Sequence, residues 1–137
     1  MSLFPENVNF LSTVRYIKGG RSAGNFVNFN LALHVNDKTD SVLENRSILK
    51  DYYELPSEPV WINQTHSSIC IDASLTERVI EADASFTLNP GTVCSILTAD
   101  CLPVFVSKKD GTMVGVAHAG WKGLISGVIE NLIEAFG

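Results

Sequence analysis

The stretch from Thr98 to Gly123, TADCLPVFVSKKDGTMVGVAHAGWKG, limits the possible folds most tightly. Two runs rich in Val, Phe and Leu, Leu102 to Ser107 and Thr112 to Ala117, flank Lys108-Lys109-Asp110-Gly111. Asp-Gly between such runs signals a type I′ turn, so the runs are predicted to pair antiparallel. If Asp110 and Gly111 are the whole loop, Lys109 faces Thr112, His118 stands opposite Pro103 and Cys101 opposite Gly120. A loop from Lys108 to Gly111 instead sets Cys101 against His118. Either even-length loop puts both side chains on one face, because the side-chain period along a strand is two. A direct or diagonal cross-strand pair has Cβ atoms roughly 4.5 to 8 Å apart, within reach of a shared ion bound at about 2.0 to 2.3 Å.

The chain has 137 residues, 45% of them hydrophobic and 18% charged, which suits one globular domain. A formal net charge of −5 argues against a nucleic-acid partner, because phosphate binding relies on clustered Lys and Arg. The tight basic pair, Lys108-Lys109, falls in the hairpin turn. No apolar run approaches the roughly 18 residues of a membrane span, and MSLFPENVNF lacks a basic region followed by an apolar one. A cytoplasmic protein is expected. Cys70, Cys94 and Cys101 show no close spacing, so reduced thiols are expected rather than a disulfide framework.

Along the chain, Val8 to Val14 is a candidate first strand, Gly19 to Asn25 a turn-rich loop and Phe26 to Val35 an extended segment. A helix capped by Asp37 or Thr39 is predicted to run to about Tyr53, where Leu55-Pro56 stops it. Val60 to Ala73 reads as a strand, with Gln64, His66 and Ser68 forming a polar stripe on one face. Thr92 to Thr98 reads as a strand covered on both faces, with Cys94 in the core. From Trp121 the spacing of Leu124, Val128, Leu132 and Phe136 predicts one amphipathic helix against the sheet.

His66, Cys101 and His118 are the chain's best set of metal ligands. Zinc takes thiolate and imidazole well, and three protein ligands with an open fourth position is its catalytic arrangement. His34 precedes a turn on a polar face and reads as solvated.

At these residues the sequence resembles the laccase-domain family, also called polyphenol-oxidase-like proteins or peptidoglycan editing factors and described as purine nucleoside phosphorylases with adenosine deaminase activity. The matching words are Pro59-Val60-Trp61 with Gln64-Thr65-His66, Ala82-Asp83-Ala84-Ser85, Pro90-Gly91-Thr92-Val93-Cys94, Thr98 to Val104 and Ala117 to Gly123. Gly19-Gly20 with Ser22, Asn30-Leu31 and Glu44-Asn45-Arg46 match as well. The resemblance implies a metal site of His66, Cys101 and His118, with zinc as the usual cofactor and copper the alternative tied to a polyphenol oxidase activity. It implies an α+β fold of mixed β-sheets packed together with flanking helices, similar to a toxin-like cysteine hydrolase. In that likeness Cys101 is the nucleophile of a hydrolase or peptidoglycan-precursor editing enzyme and His118 its base.

The partners implied are a small-molecule nucleoside and phosphate. Asp100 is the candidate general base or a carboxylate supporting a ligand, although in an extended strand it points away from Cys101. Gln64, Asn30, Arg46 and Lys122 are the candidate substrate-binding residues, Lys122 adding charge at the first turn of the last helix. A metal so held lowers the pKa of its water from about 15.7 towards 7, giving an attacking hydroxide for C6 of a purine. Phosphorolysis, attack of phosphate on ribose C1′, rests on the resemblance alone.

Four departures stand out. Arg15 lies four positions before Gly19, with Val14 intervening. Ser67 replaces the usual Gly after the histidine, Lys122 replaces Arg after the Trp, and family members continue well past Gly137. A single laccase-like domain over residues 1–137, lacking its C-terminal portion, is expected; if that loss abolishes catalysis, an inactive metal-binding module is left.

Overall fold

The computed structural model describes residues 4–12 and 29–137. The Gly19 to Asn25 loop, Arg15 and parts of the two N-terminal extended segments lie outside the described residues. Residues 8–12 and 29–35 carry no regular strand.

Contacts divide the chain into two compact units, Leu11–Leu55 on one side and Met1–Phe10 with Pro56–Gly137 on the other. In the first, helix α1 runs over Thr39–Tyr52, close to its predicted span. Its inward Asn45 and Arg46 donate to the preceding segment, Asn45 Nδ2 to the Asn30 carbonyl at 3.0 Å and Arg46 Nε and Nη2 to the Leu31 carbonyl at 3.0 and 2.8 Å. Asn30 Nδ2 in turn donates to Asp37 Oδ2 at 3.1 Å.

The second unit is built on a four-stranded mixed sheet. Strands β1 (Cys70–Asp72), β2 (Ala84–Thr87), β3 (Leu102–Ser107) and β4 (Val114–Ala119) lie in the order β1-β2-β4-β3. β1 and β2 are parallel, and β4 is antiparallel to both of its neighbours. Among the described residues this is one sheet, not the packed sheets expected. Pro103 is tolerated in β3 because that strand is an edge of the sheet among the described residues.

The β3–β4 register pairs Leu102 with Ala119 and Pro103 with His118, which is the register of a two-residue Asp110-Gly111 loop. The turn differs from type I′. Gly111 takes φ 73° while Asp110 is absent from the positive-φ residues, and the Gly111 amide donates to the Lys108 carbonyl. Asp110 Oδ1 accepts from the Thr112 amide and hydroxyl at 3.0 and 2.7 Å, a local bond that stabilises this turn instead.

The predicted C-terminal helix is two helices, α2 (Trp121–Ser126) and α3 (Val128–Ala135), because Gly127 adopts φ 91° between them. α3 packs Val128 and Leu132 onto Ala84, Ala117 and Ala119. Gly115 makes the close approach possible: a Cβ there would lie 2.8 Å from Leu132 Cδ1 and 3.1 Å from Phe136 Cε1. With Ala117 and Ala119 turned to α3, His118 between them faces the other way.

The predicted strands Val60 to Ala73 and Thr92 to Thr98 shrink to β1 and to isolated bridges, Val60 with Cys94 and Asn63 with Glu81. Side chains take over the missing ladder: Gln64 Oε1 accepts from the Leu97 amide at 2.7 Å, and Ser95 Oγ donates to the Val60 carbonyl at 2.9 Å. No helix among the described residues is long and apolar enough to cross a membrane.

Candidate metal centre

His118 comes from β4, Cys101 from the bend just before β3, and His66 from the loop after the Asn63 bridge. One ligand atom from each lies within 4.8 Å of the others, the one such cluster among the described residues. Cys101 Sγ is 3.9 Å from His66 Nε2, and the two imidazole rings stand 5.1 Å apart at 65°. Sulfur and nitrogen bound tetrahedrally to one ion at about 2.3 and 2.0 Å stand roughly 3.5 Å apart. The Cys101–His66 pair therefore needs only a small contraction, and the cluster as a whole must tighten from its 4.8 Å limit to hold an ion.

The three side chains form a gradient from solvent to interior. His66 is exposed, Cys101 half-buried and His118 buried at 5% exposure, leaving the open side of the cluster towards solvent. Gly120, just past the end of β4, keeps the centre clear: a Cβ there would sit 2.9 Å from Cys101 Sγ and 3.2 Å from His66 Cδ2.

Asp83 organises the centre from behind, and sequence reasoning did not single it out. Its carboxylate is fully buried and lies 2.8 Å from His118 Nδ1; an ionised carboxylate can only accept, so Nδ1 carries the hydrogen and Nε2 is left to face the cluster. The same carboxylate accepts the backbone amides of Thr65, His66 and Ser67 at 3.0, 3.1 and 2.8 Å and the Ser67 hydroxyl at 2.8 Å. Those bonds hold His66 at φ 61°, a left-handed conformation that side-chain-bearing residues avoid. Burial alone would raise the Asp83 carboxyl; the bonds from His118, Ser67 and Thr65 outweigh it and hold it below the usual carboxylate range. The available signal was an acid between two alanines, in the word Ala82-Asp83-Ala84-Ser85.

Asp100 departs from the extended-strand expectation. Residues 99–101 form a bend, fastened by the Thr98 hydroxyl donating to the Cys101 carbonyl at 2.5 Å, and Cys101 Sγ donates to Asp100 Oδ1 at 3.7 Å. Loss of solvent, then the Asp100 charge and hydrogen bond, push the Cys101 thiol above its ordinary value. A bare thiolate is thus disfavoured, whereas a bound cation reverses that balance. Burial pushes the Cys70 and Cys94 thiols up to about 11, though both are half-buried, so Cys94 is not the core residue expected.

His66, Asp100, Cys101, Trp121 and Lys122 line one open depression of about 270 Å³. Trp121, also missed from sequence, is 70% exposed, with Lys122 Nζ 5.5 Å from its ring centroid. Gln64 instead has its amide oxygen on the Leu97 backbone, and Asn30 and Arg46 belong to the Leu11–Leu55 unit.

These features define an α+β protein with a His-Cys-His centre suited to a divalent metal. A family described as multi-copper polyphenol oxidoreductase laccase matches residues 11–137. A purine nucleoside phosphorylase of Haemophilus influenzae is 39% identical over 132 residues, covering 96% of this chain and 53% of that protein. The purine nucleoside phosphorylase YfiH of Escherichia coli K12 is 41% identical over 133 residues, covering 96% and 54%. The crystal structure of a Neisseria meningitidis protein of family DUF152 superposes with TM-score 0.79 at 40% identity, over 85% of this chain and 48% of that one. YlmD of Geobacillus stearothermophilus gives TM-score 0.78 at 27% identity, over 86% and 48%. The chain belongs to the laccase-domain family of purine nucleoside phosphorylases that includes YfiH and DUF152. It spans about half the length of the curated relatives it matches. The fold is the mixed α+β fold of these proteins, which corrects the expected likeness to a toxin-like cysteine hydrolase.

Proposed function

We propose that the chain carries the metal centre of a zinc-dependent purine nucleoside phosphorylase that also deaminates adenosine. The observation that carries this reading is the convergence of His66, Cys101 and His118, with His66 and Cys101 lining the depression that also holds Lys122 and Asp100. The relatives named as purine nucleoside phosphorylases support the choice of reaction.

Two imidazoles and one thiol form a donor set that suits zinc, and the space kept by Gly120 suits an ion between them. When bound, the metal supplies Lewis acidity at the open side of the cluster. Lys122 offers a positive charge to phosphate in the same depression, as a single point charge rather than the fork of an arginine. The exposed Trp121 indole offers a flat apolar face to a purine. In phosphorolysis a phosphate oxygen bonds to ribose C1′ as the bond from C1′ to the base breaks. In deamination water adds at C6 and ammonia leaves. Asp100, in the same depression, would take a proton from the water that adds at C6 and pass one to the departing ammonia.

The test is hypoxanthine release from inosine by the zinc-loaded protein with and without phosphate, beside ammonia release from adenosine. Phosphate-dependent release is expected. Metal binding with neither product would mark a binding module, and oxygen uptake with a phenol after copper loading would mark an oxidase.

A further inference from the structure

We propose that Asp83 positions both metal-binding imidazoles at once, as the shared support of the two arms of the centre. This rests on His66 and His118 being metal ligands and is independent of the reaction catalysed.

The Asp83 backbone is itself fixed. Its amide donates to the Ile69 carbonyl at 3.0 Å, and its carbonyl accepts the His118 amide at 2.7 Å, so it is tied into the sheet beside β4. From that anchor the side chain divides its work. Oδ2 takes the His118 Nδ1 proton and the His66 amide, while Oδ1 takes the Thr65 amide and both donors of Ser67. Five donors meet an acceptor with about four lone-pair directions, so the group must accept at both oxygens.

Asparagine has nearly the same shape but can accept at only one end. With its NH2 in the Oδ2 place, it confronts the His66 amide and requires His118 Nδ1 to accept. The His118 proton then moves to Nε2, the nitrogen facing the cluster. With its NH2 in the Oδ1 place, it confronts the amides of Thr65 and Ser67, and the left-handed turn at His66 loses its restraint. Either orientation disables one imidazole.

Three proteins test this: the unsubstituted chain, Asp83→Asn and Ser67→Ala. Long-range proton–nitrogen NMR of the metal-free protein reads the tautomer directly, and competition with a chromogenic chelator reads zinc affinity. The unsubstituted chain is expected to hold its His118 proton on Nδ1. Asp83→Asn is expected to weaken zinc roughly 10 to 100-fold, the usual cost of removing a ligand's supporting partner. In Asp83→Asn, NMR should show either a moved His118 proton or loss of the His66 turn. Ser67→Ala keeps the backbone donor and should weaken zinc about threefold or less.

A His118 proton on Nε2 in the unsubstituted chain overturns the proposal, even if Asp83→Asn does not fold. Equal zinc affinity in a folded Asp83→Asn protein overturns it while leaving the ligand assignment intact. Failure of the unsubstituted chain to bind zinc removes the ligand assignment and this proposal together.

Discussion

The two arms of the proposed metal centre reach the same point by different means. His118 rides on the β3–β4 hairpin and Cys101 sits in the bend that leads directly into it; the register is repeated at six consecutive pairs from Leu102–Ala119 to Ser107–Val114. Loss of one pair leaves five to hold the alignment. The His66 arm has no ladder of its own: three successive amides, Thr65, His66 and Ser67, all close on the Asp83 carboxylate. One arm is held by many equivalent bonds and the other by a single charged hub. The loop arm is therefore the one that chemistry at one residue can release.

The largest expected effect is on the hairpin arm. Cys101→Ala should weaken zinc by more than the roughly 100-fold ceiling for a supporting residue, because it removes a ligand outright. At a half-buried position it should change unfolding stability by only about 0.5 kcal/mol. Zinc titration and chemical denaturation of the same sample check both parts.

Gly120→Ala asks whether the arms truly converge. The added Cβ meets a side chain from each arm, Cys101 Sγ and His66 Cδ2, so zinc affinity should fall roughly tenfold. An unchanged affinity would mean that the two side chains do not crowd one point.

Acid should separate the arms. Asp83 is held below its ordinary value, so its contribution to stability is complete above the unfolded carboxyl pKa of about 3.9. It is lost as pH falls through the lower folded value. Hydrogen exchange at the amides of Thr65 to Ser67, corrected for intrinsic rates, should lose protection there before the β3–β4 amides do. Simultaneous loss would make the two arms one cooperative unit.

The smallest effect on the centre is expected from Gly127→Ala, at the left-handed break between α2 and α3. It should cost roughly 1 to 2 kcal/mol of stability through backbone strain. Zinc affinity should stay within twofold, since the strain acts on helix packing behind the sheet.

The same contrast explains what could be read from the sequence. The hairpin was legible because strand alternation and Asp-Gly are local signals, and a period of two carries Cys101 and His118 to one face without further information. The His66 arm obeys no local period. Val60 to Ala73 has the composition of a strand, but a carboxylate 17 residues further on accepts the amides that a neighbouring strand would otherwise pair. Asp83 was hidden for the same reason: its donors come from Thr65 to Ser67 and from His118, far away in sequence. At the C-terminus the apolar spacing runs through Gly127 unbroken, so periodicity alone predicts one helix where backbone geometry makes two.

X-ray absorption at the zinc edge of the loaded protein tests the centre most directly. Two side-chain imidazoles and one thiolate should give one sulfur at about 2.3 Å and nitrogen neighbours at about 2.0 to 2.1 Å, with the sulfur lost in Cys101→Ala. A first shell of oxygen and nitrogen alone in the unsubstituted protein would contradict the assignment.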